Sequence, residues 1–194
     1  MDTFLIIEII GAIIGLTYIY LEYKASFWLW TAGILMSLFY TAVYAHAEFY
    51  AYMATNIYYI GANAYGLWMW KRSEQQQGDD VSDPIKPMPQ KQILPVLGIY
   101  IVINVIVYFL LSLTDSTVVL QDTFLTSLSV VPMWMMAKKY YHQWLLWIVV
   151  NIASVFIFFY TNLIPTAILY IVYSVVSIMG FFNWRKMSKS TACN

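Results

Sequence analysis

Residues 138–160 read KKYYHQWLLWIVVNIASVFIFFY. Two lysines come first, and the run that follows, Gln143–Tyr160, contains no charged side chain. A hydrocarbon core about 30 Å thick is crossed by about 20 helical residues. The stretch therefore predicts a membrane-spanning helix with a basic end.

Six other segments have the same apolar character, and the composition agrees with them. The chain is 61% hydrophobic and 10% charged, whereas soluble domains are typically about 25% charged. The first segment lacks the basic start of a signal peptide, so we expect it to be retained. The sequence predicts an all-α membrane protein with seven transmembrane helices, the six others being Phe4–Leu21, Phe27–Ala45, Phe49–Trp70, Ile93–Leu113, Thr123–Ala137 and Ile164–Trp184.

The basic residues predict the orientation of these helices. If the helices alternate across a bilayer with the N-terminus outside, all ten lysines and arginines fall on the cytoplasmic side. The outer segments, 1–3, 46–48, 114–122 and 161–163, contain none. This is the distribution that the positive-inside rule describes. We therefore expect a multi-pass protein of the bacterial inner membrane, with its N-terminus outside and its C-terminus in the cytoplasm.

The two ends of the chain are related by a repeat. Residues in the first part recur in the second part 114 positions later, for example Lys24 as Lys138, Trp30 as Trp144, Gly66 as Gly180 and Trp70 as Trp184. The repeat predicts two three-helix units, residues 1–72 and 114–186, followed by a tail, 187–194. Between the units lie a cytoplasmic loop, 73–92, and a linker helix, 93–113.

The single linker helix decides how such repeats would be related. It makes helices one and five cross the membrane in the same direction, which predicts parallel repeats in a 3+1+3 arrangement. Repeats of this kind place a small-molecule site at their interface. The loop Ser73–Lys91 contains three prolines and is rich in polar residues, so we expect it to be exposed and flexible.

Helix six carries a polar and aromatic ladder. Trp144, Trp147 and Asn151 have the spacing i, i+3 and i+7, which places them on one helical face. A carboxamide in hydrocarbon needs a partner, because burying it unpaired is costly. The ladder predicts a substrate path. Two alternatives remain open, namely that the tryptophans form an interfacial belt and that Asn151 joins helices.

Helix three shows a similar face, and the first helix and an outer loop add acidic residues. Asn56, Tyr59 and Asn63 correspond by the repeat to Tyr170, Tyr173 and Ser177 on helix seven. These residues also fit either a substrate path or polar packing between helices. The acidic residues Glu8 and Glu48 fall at the outer ends, where they would favour a cation or simply form a solvated rim.

Two motifs resemble the Pnu family of bacterial vitamin transporters. They are Trp-Leu-Leu-Trp-x-x-x-Asn at 144–151 and Tyr-Gly-Leu-Trp-x-Trp at 65–70. The resemblance implies a 3+1+3 fold similar to that of SWEET carriers, a homotrimer, and uptake of nicotinamide riboside, thiamine or riboflavin. It also implies that Trp144, Trp147 and Asn151 contact the substrate, with Asn56 and Tyr59 on the opposite wall.

The resemblance does not by itself choose between these vitamins, and two residues bear on the choice. The nicotinamide riboside branch tends to have Gln and Phe where this chain has Asn56 and Tyr59. This departure favours thiamine, with nicotinamide riboside as the alternative. The sequence shows no phosphate-binding loop and no cluster of carboxylates in the deep parts of the helices. We therefore expect facilitated diffusion, and the resemblance implies that phosphorylation in the cytoplasm traps the vitamin.

Other classes of function find less support in the sequence. His46 and Glu48 are the single pair suited to catalysis, and they lie in a short outer loop. The one cysteine, Cys193, allows no disulfide framework or thiolate metal site. The net charge of zero gives no reason to expect nucleic acid. We expect no enzyme, no cofactor and no metal, and a membrane sensor without transport stays as a lesser alternative.

Overall fold

A computed structural model of the chain describes residues 3–46, 50–77, 84–113, 119–160 and 164–192. Within these ranges the protein is all-helical, as predicted, and each predicted span overlaps one helix. The seven α-helices are α1 (Thr3–Tyr23), α2 (Trp28–His46), α3 (Tyr50–Gln77), α4 (Ile93–Ser112), α5 (Val119–Ala137), α6 (Gln143–Tyr160) and α7 (Ile164–Ala192), and a 3-10 turn, Gln90–Gln92, precedes α4.

Several of these helices have the length and composition of membrane spans. Among the described residues, three segments are long and apolar enough to cross a bilayer, namely Gln90–Ser112, Gln143–Tyr160 and Thr166–Ser190. Two shorter apolar helical segments are Trp28–Ala42 and Thr126–Ala137. In α4 no residue is buried, and most of its large apolar side chains are exposed. A helix with this surface suits a lipid environment, because a soluble monomer rarely exposes so large an apolar patch.

Helices α3 and α7 continue beyond their predicted ends. We predicted that the third span stops at Trp70 and that a flexible loop begins at Ser73, but α3 extends to Gln77. Likewise α7 passes Trp184 and ends at Ala192. The added residues are mostly Lys, Arg, Glu, Gln and Ser, which continue a helix readily. Hydropathy marks where the apolar surface stops, whereas the helix stops later.

The chain divides into two compact units, Met1–Asp83 and Pro84–Asn194. In the first unit, α2 packs along α3 and also contacts α1. In the second unit, α6 packs along α7, and α5 contacts both α4 and α6. Helix α4, predicted as a separate linker, therefore belongs to the second compact unit through its packing on α5.

The same turn occurs in both units, 114 positions apart. After α1, Ala25 has a φ of 50°, and after α5, Lys139 has a φ of 56°. In the first turn the Ser26 N–H donates to the Leu21 carbonyl at 2.9 Å, and in the second the Tyr140 N–H donates to the Met135 carbonyl at 2.9 Å. This six-to-one bond around a left-handed residue is the Schellman motif, which ends a helix and reverses the chain.

The aromatic packing also recurs. Trp30 lies against Gly66 and meets Trp70 edge-on, with ring centroids 5.5 Å apart. In the second unit, Trp144 lies against Gly180 and meets Trp184 edge-on at 5.9 Å. All four indoles are buried. The correspondence of 114 residues therefore extends from residue identity to side-chain packing within each unit.

Part of the predicted flexible loop is held in place. Residues 84–92, which we call the docked segment, lie against the turn between α5 and α6. Lys86 forms a parallel bridge with this turn, its N–H donating to the Lys139 carbonyl at 3.0 Å while its carbonyl accepts from the Tyr141 N–H at 3.2 Å. The Tyr140 hydroxyl donates to Gln92 Oε1 at 3.0 Å. For Pro84–Lys91, the prediction of a flexible loop was therefore wrong.

His142 adds a titratable contact to the docked segment. Its Nδ1 accepts a hydrogen bond from the Met88 N–H at 3.1 Å, and its ring stacks on Tyr141. Burial lowers the pKa of His142, and the Arg185 guanidinium lowers it further. Both effects favour the neutral imidazole, which is the form that can accept the Met88 bond.

Candidate substrate-binding site

The ladder predicted on α6 is present, but its three residues have different surroundings. Trp144 is fully buried, Asn151 is 6% exposed, and Trp147 is partly exposed. The indole of Trp144 fills the gap between α6 and α7, because it packs on Gly180 and meets Trp184 edge-on. Its surroundings are those of a core residue that holds these two helices together.

Trp147 has the surroundings of a binding residue. Its indole Nε1 is buried and has no hydrogen-bond partner in the described part of the chain, which is also true of the Trp144 Nε1. The ring of Trp147, unlike that of Trp144, is partly exposed. A buried donor without a partner costs about 1–3 kcal/mol, so proteins rarely leave one unpaired. The N–H is therefore suited to a ligand acceptor, while the partly exposed ring offers a face for stacking.

Asn151 is held by a residue of the neighbouring helix. Its Nδ2 donates to the Ser177 hydroxyl oxygen on α7 at 2.9 Å. Ser177 is 0% exposed. The sequence indicated Ser177 only as the counterpart of Asn63, without a role of its own. The sequence could have suggested this pairing, because a buried carboxamide requires a partner and Ser177 lies on the same helical face as Tyr173, four residues later.

In the first unit, Asn63 is the buried carboxamide. It is 3% exposed, its Nδ2 donates to the Tyr59 carbonyl at 2.7 Å, and its Oδ1 has no partner among the described residues. The side chain fills the space beside Gly33 on α2, where any Cβ would overlap the carboxamide. Asn56 and Tyr59 are both partly exposed on α3.

The two units carry the same pair of polar residues on exchanged helices. Ser37 on α2 and Asn63 on α3 are both buried in the first unit. Their counterparts 114 positions later are Asn151 on α6 and Ser177 on α7. The serine and the asparagine have therefore changed places, so this pair of positions supplies one buried amide and one buried hydroxyl in each unit.

The predicted tyrosines of α7 form an aromatic cluster with α6. Tyr170 and Tyr173 meet edge-on with centroids 5.6 Å apart, and Phe158 of α6 lies 5.1 Å from Tyr170. Tyr173 lies one helical turn before Ser177, so α7 carries tyrosine rings next to the serine that bonds Asn151. The other predicted site residues cannot be placed, since the side chain of Glu8 and all of Glu48 lie outside the described residues.

The comparison with known proteins agrees with the motifs. Residues 5–186 match the family profile described as nicotinamide mononucleotide transporter. The nicotinamide riboside transporter PnuC of Escherichia coli (strain K12) is 24% identical over 201 residues, which cover 92% of this chain and 84% of that protein. The PnuC of Haemophilus influenzae is 26% identical over 186 residues, with coverage of 95% and 81%.

A solved structure shows the same fold. The crystal structure of the vitamin B3 transporter PnuC aligns with a TM-score of 0.74 at 23% sequence identity. The alignment covers 93% of this chain and 80% of that chain. The resemblance to the Pnu family, predicted from the two tryptophan motifs, is confirmed.

The thiamine interpretation finds no support in these comparisons, because the relatives are named for nicotinamide riboside. The two residues that led to it, Asn56 and Tyr59, differ little from Gln and Phe, since the tyrosine adds only a hydroxyl. Asn56 and a glutamine both present a carboxamide, and Tyr59 and a phenylalanine both present a six-membered ring.

The profile covers most of the chain, the fold agrees, and the apolar helices suit a bilayer. The chain therefore belongs to the nicotinamide mononucleotide transporter family, whose members are multi-pass transporters of the bacterial inner membrane and not enzymes.

Proposed function

We propose that this protein carries nicotinamide riboside across the inner membrane by facilitated diffusion. The observation that carries the proposal is that α6 places a partly exposed indole with an unpartnered N–H, on Trp147, beside a carboxamide held by a hydrogen bond, on Asn151. The names of the relatives support this vitamin over thiamine.

The chemistry of nicotinamide riboside fits these groups. Its pyridinium ring is a flat cation, which an indole face attracts by stacking and by cation–π interaction. Its carboxamide and ribose hydroxyls both donate and accept hydrogen bonds. Trp147 therefore supplies the ring contact, and its N–H together with the Asn151 amide supplies polar contacts.

The remaining predicted residues have supporting roles in this proposal. Asn63, Asn56 and Tyr59 supply polar and ring contacts from α3, and Tyr170 and Tyr173 supply rings from α7. Trp144, the first residue of the ladder, stabilises the α6–α7 pair through its packing on Gly180 and Trp184. Glu8 and Glu48 attract the cation at the outer side.

The proposal includes the predicted architecture. The duplicated turn and the duplicated tryptophan packing support two three-helix repeats with α4 between them, in a parallel 3+1+3 arrangement. The distribution of lysine and arginine supports an outside N-terminus and a cytoplasmic C-terminus. Assembly into a homotrimer is inferred from the family resemblance.

The scarcity of acidic residues within the predicted spans supports passive transport. Six of the seven predicted spans contain no aspartate or glutamate, and the exception is Phe4–Leu21, which contains Glu8. Ion-coupled carriers typically use such residues inside the membrane to bind protons or cations. We therefore expect accumulation to depend on phosphorylation of the vitamin in the cytoplasm.

Counterflow in proteoliposomes tests the proposal. Vesicles loaded with unlabelled nicotinamide riboside should take up labelled nicotinamide riboside, and a protonophore should leave the initial rate unchanged. Empty vesicles provide the control. Uptake that a protonophore abolishes would contradict facilitated diffusion.

The same vesicles test the choice of vitamin. Excess unlabelled nicotinamide riboside should block uptake of the label, and excess thiamine should have little effect. Stronger block by thiamine would reverse the assignment. Binding of the vitamin without any passage would instead identify a membrane sensor.

A further inference from the structure

We infer that Ser177 is a positioning residue, which fixes the Asn151 carboxamide in the orientation that binds the substrate. The inference rests on the proposed function, because it concerns how one residue of that site is prepared. Its basis is the 2.9 Å hydrogen bond from Asn151 Nδ2 to the Ser177 hydroxyl oxygen.

Burial separates the role of Ser177 from that of Asn151. Ser177 is 0% exposed, whereas Asn151 keeps 6% of its surface exposed. A ligand can therefore touch Asn151 only at its small exposed edge, and it cannot touch the Ser177 hydroxyl. Any effect of that hydroxyl on binding must pass through the carboxamide that it holds.

The carboxamide needs such a partner because its end rotates easily. The last torsion of asparagine has a broad, roughly two-fold preference, so the oxygen and nitrogen exchange places at little cost. A bond from Nδ2 to a fixed hydroxyl on α7 selects one of the two orientations. It directs the amide nitrogen towards Ser177 and leaves the carbonyl oxygen for other partners.

In the first unit, too, the buried carboxamide is fixed by a hydrogen bond from its nitrogen. Asn63 Nδ2 donates to the Tyr59 carbonyl of its own helix at 2.7 Å, while its Oδ1 has no partner in the described residues. In both units the nitrogen of a buried carboxamide is tied to the protein. In the second unit the partner is a side chain, so its contribution can be tested by substitution.

The test measures the affinity of the purified full-length protein for nicotinamide riboside by tryptophan fluorescence. Ser177→Ala should raise Kd about threefold to tenfold, as expected for loss of one buried hydrogen bond. Thr and Val have nearly the same shape, but only Thr keeps the hydroxyl. Ser177→Thr should therefore bind at least about threefold more tightly than Ser177→Val, the difference expected for one hydrogen bond. Ser174→Ala is the matched control, because the Ser174 hydroxyl bonds the Tyr170 carbonyl of its own helix.

A second measurement distinguishes positioning from a general loss of structure. In an Asn151→Ala background, Ser177→Ala should cause no further loss of affinity, because the group that it orients is gone. An unchanged Kd for Ser177→Ala, or the same fold loss in both backgrounds, would overturn the inference. Wild-type protein that fails to bind nicotinamide riboside would refute the proposed function, a result distinct from either of these.

Discussion

Gly180 lies directly against the indole of Trp144, so that a Cβ added at Gly180 would be 2.6 Å from Cε2 of that ring. Both the glycine and the tryptophan are buried, and neither can move without separating α6 from α7. We expect Gly180→Ala to lower the free energy of unfolding by about 1–3 kcal/mol through overpacking. Thermal unfolding in detergent would measure the change.

Gly61 provides the matched control for this substitution. It is also a helical glycine, but a Cβ there would meet nothing within 4 Å. Gly61→Ala should leave stability unchanged or raise it by up to about 1 kcal/mol, through the higher helix propensity of alanine. Equal destabilisation by both substitutions would show that the Trp144 contact is not the cause.

Ala25 adopts a left-handed backbone conformation, which alanine disfavours. Its φ is 50°, and this region costs an L-residue with a side chain about 1–2 kcal/mol. We expect Ala25→Gly to stabilise the protein by about 0.5–1 kcal/mol, even though glycine increases the entropy of the unfolded chain. Ala32→Gly, inside α2, should instead destabilise by about 1 kcal/mol. A loss of melting temperature in both variants would contradict the role of the turn.

The two tryptophans of the ladder should respond differently to truncation. Trp144 is fully buried, so Trp144→Ala should cost about 3–5 kcal/mol of stability. Trp147 is partly exposed and has an unpartnered indole N–H. Trp147→Ala should fold with a smaller loss and lose most of its nicotinamide riboside binding. Melting curves and fluorescence titrations of both variants check this, and normal binding by folded Trp147→Ala would place the substrate elsewhere.

The docked segment should respond to pH through His142. Its pKa is lowered by burial and by Arg185, whereas an undocked His142 would have the ordinary pKa of about 6.5. The undocked state therefore binds more protons. Docking is fully favoured above about pH 6.5 and weakens as the pH falls through the lowered pKa of the docked state. A protonated imidazole also cannot accept the Met88 bond.

Hydrogen exchange of residues 84–92 would measure this effect against His142→Asn, which keeps an acceptor near the Nδ1 position but does not titrate. Exchange should be similar in the two proteins at pH 7.5 and faster in the wild type at pH 5. Comparison at one pH removes the intrinsic pH dependence of exchange. The same ratio of wild-type to His142→Asn exchange rates at pH 7.5 and pH 5 would exclude His142 as the titrating group.

Hydropathy and charge predicted the helices, because a bilayer demands long apolar spans and the protein satisfies that demand residue by residue. The repeat also showed in the sequence, since glycine and tryptophan at matched positions pack on each other. Other features depend on tertiary contacts that no local pattern carries. The docked segment, for example, is held to a distant turn by the Lys86 bridge and by the Tyr140–Gln92 and Met88–His142 hydrogen bonds. The ends of α3 and α7 are a different case, because helix propensity continues them beyond the point where hydropathy stops.

The sequence could predict which helical face carries the candidate site, but not how deeply each residue is buried or which residues it contacts. Periodicity placed Trp144, Trp147 and Asn151 together, yet it could not show that Trp144 is buried against Gly180. It also could not show which side chain pairs with Asn151, because that partner lies on another helix. The preference for thiamine failed for a similar reason, since single exchanges between chemically similar residues carry little information about a ligand.

The left-handed turns at Ala25 and Lys139 set the rotational phase of the helices that follow them. One inserted residue there would turn α2 or α6 by about 100° about its axis. Ser37 or Asn151 would then leave the face that meets its neighbouring helix. We therefore expect differences in length between homologues to lie in other connections.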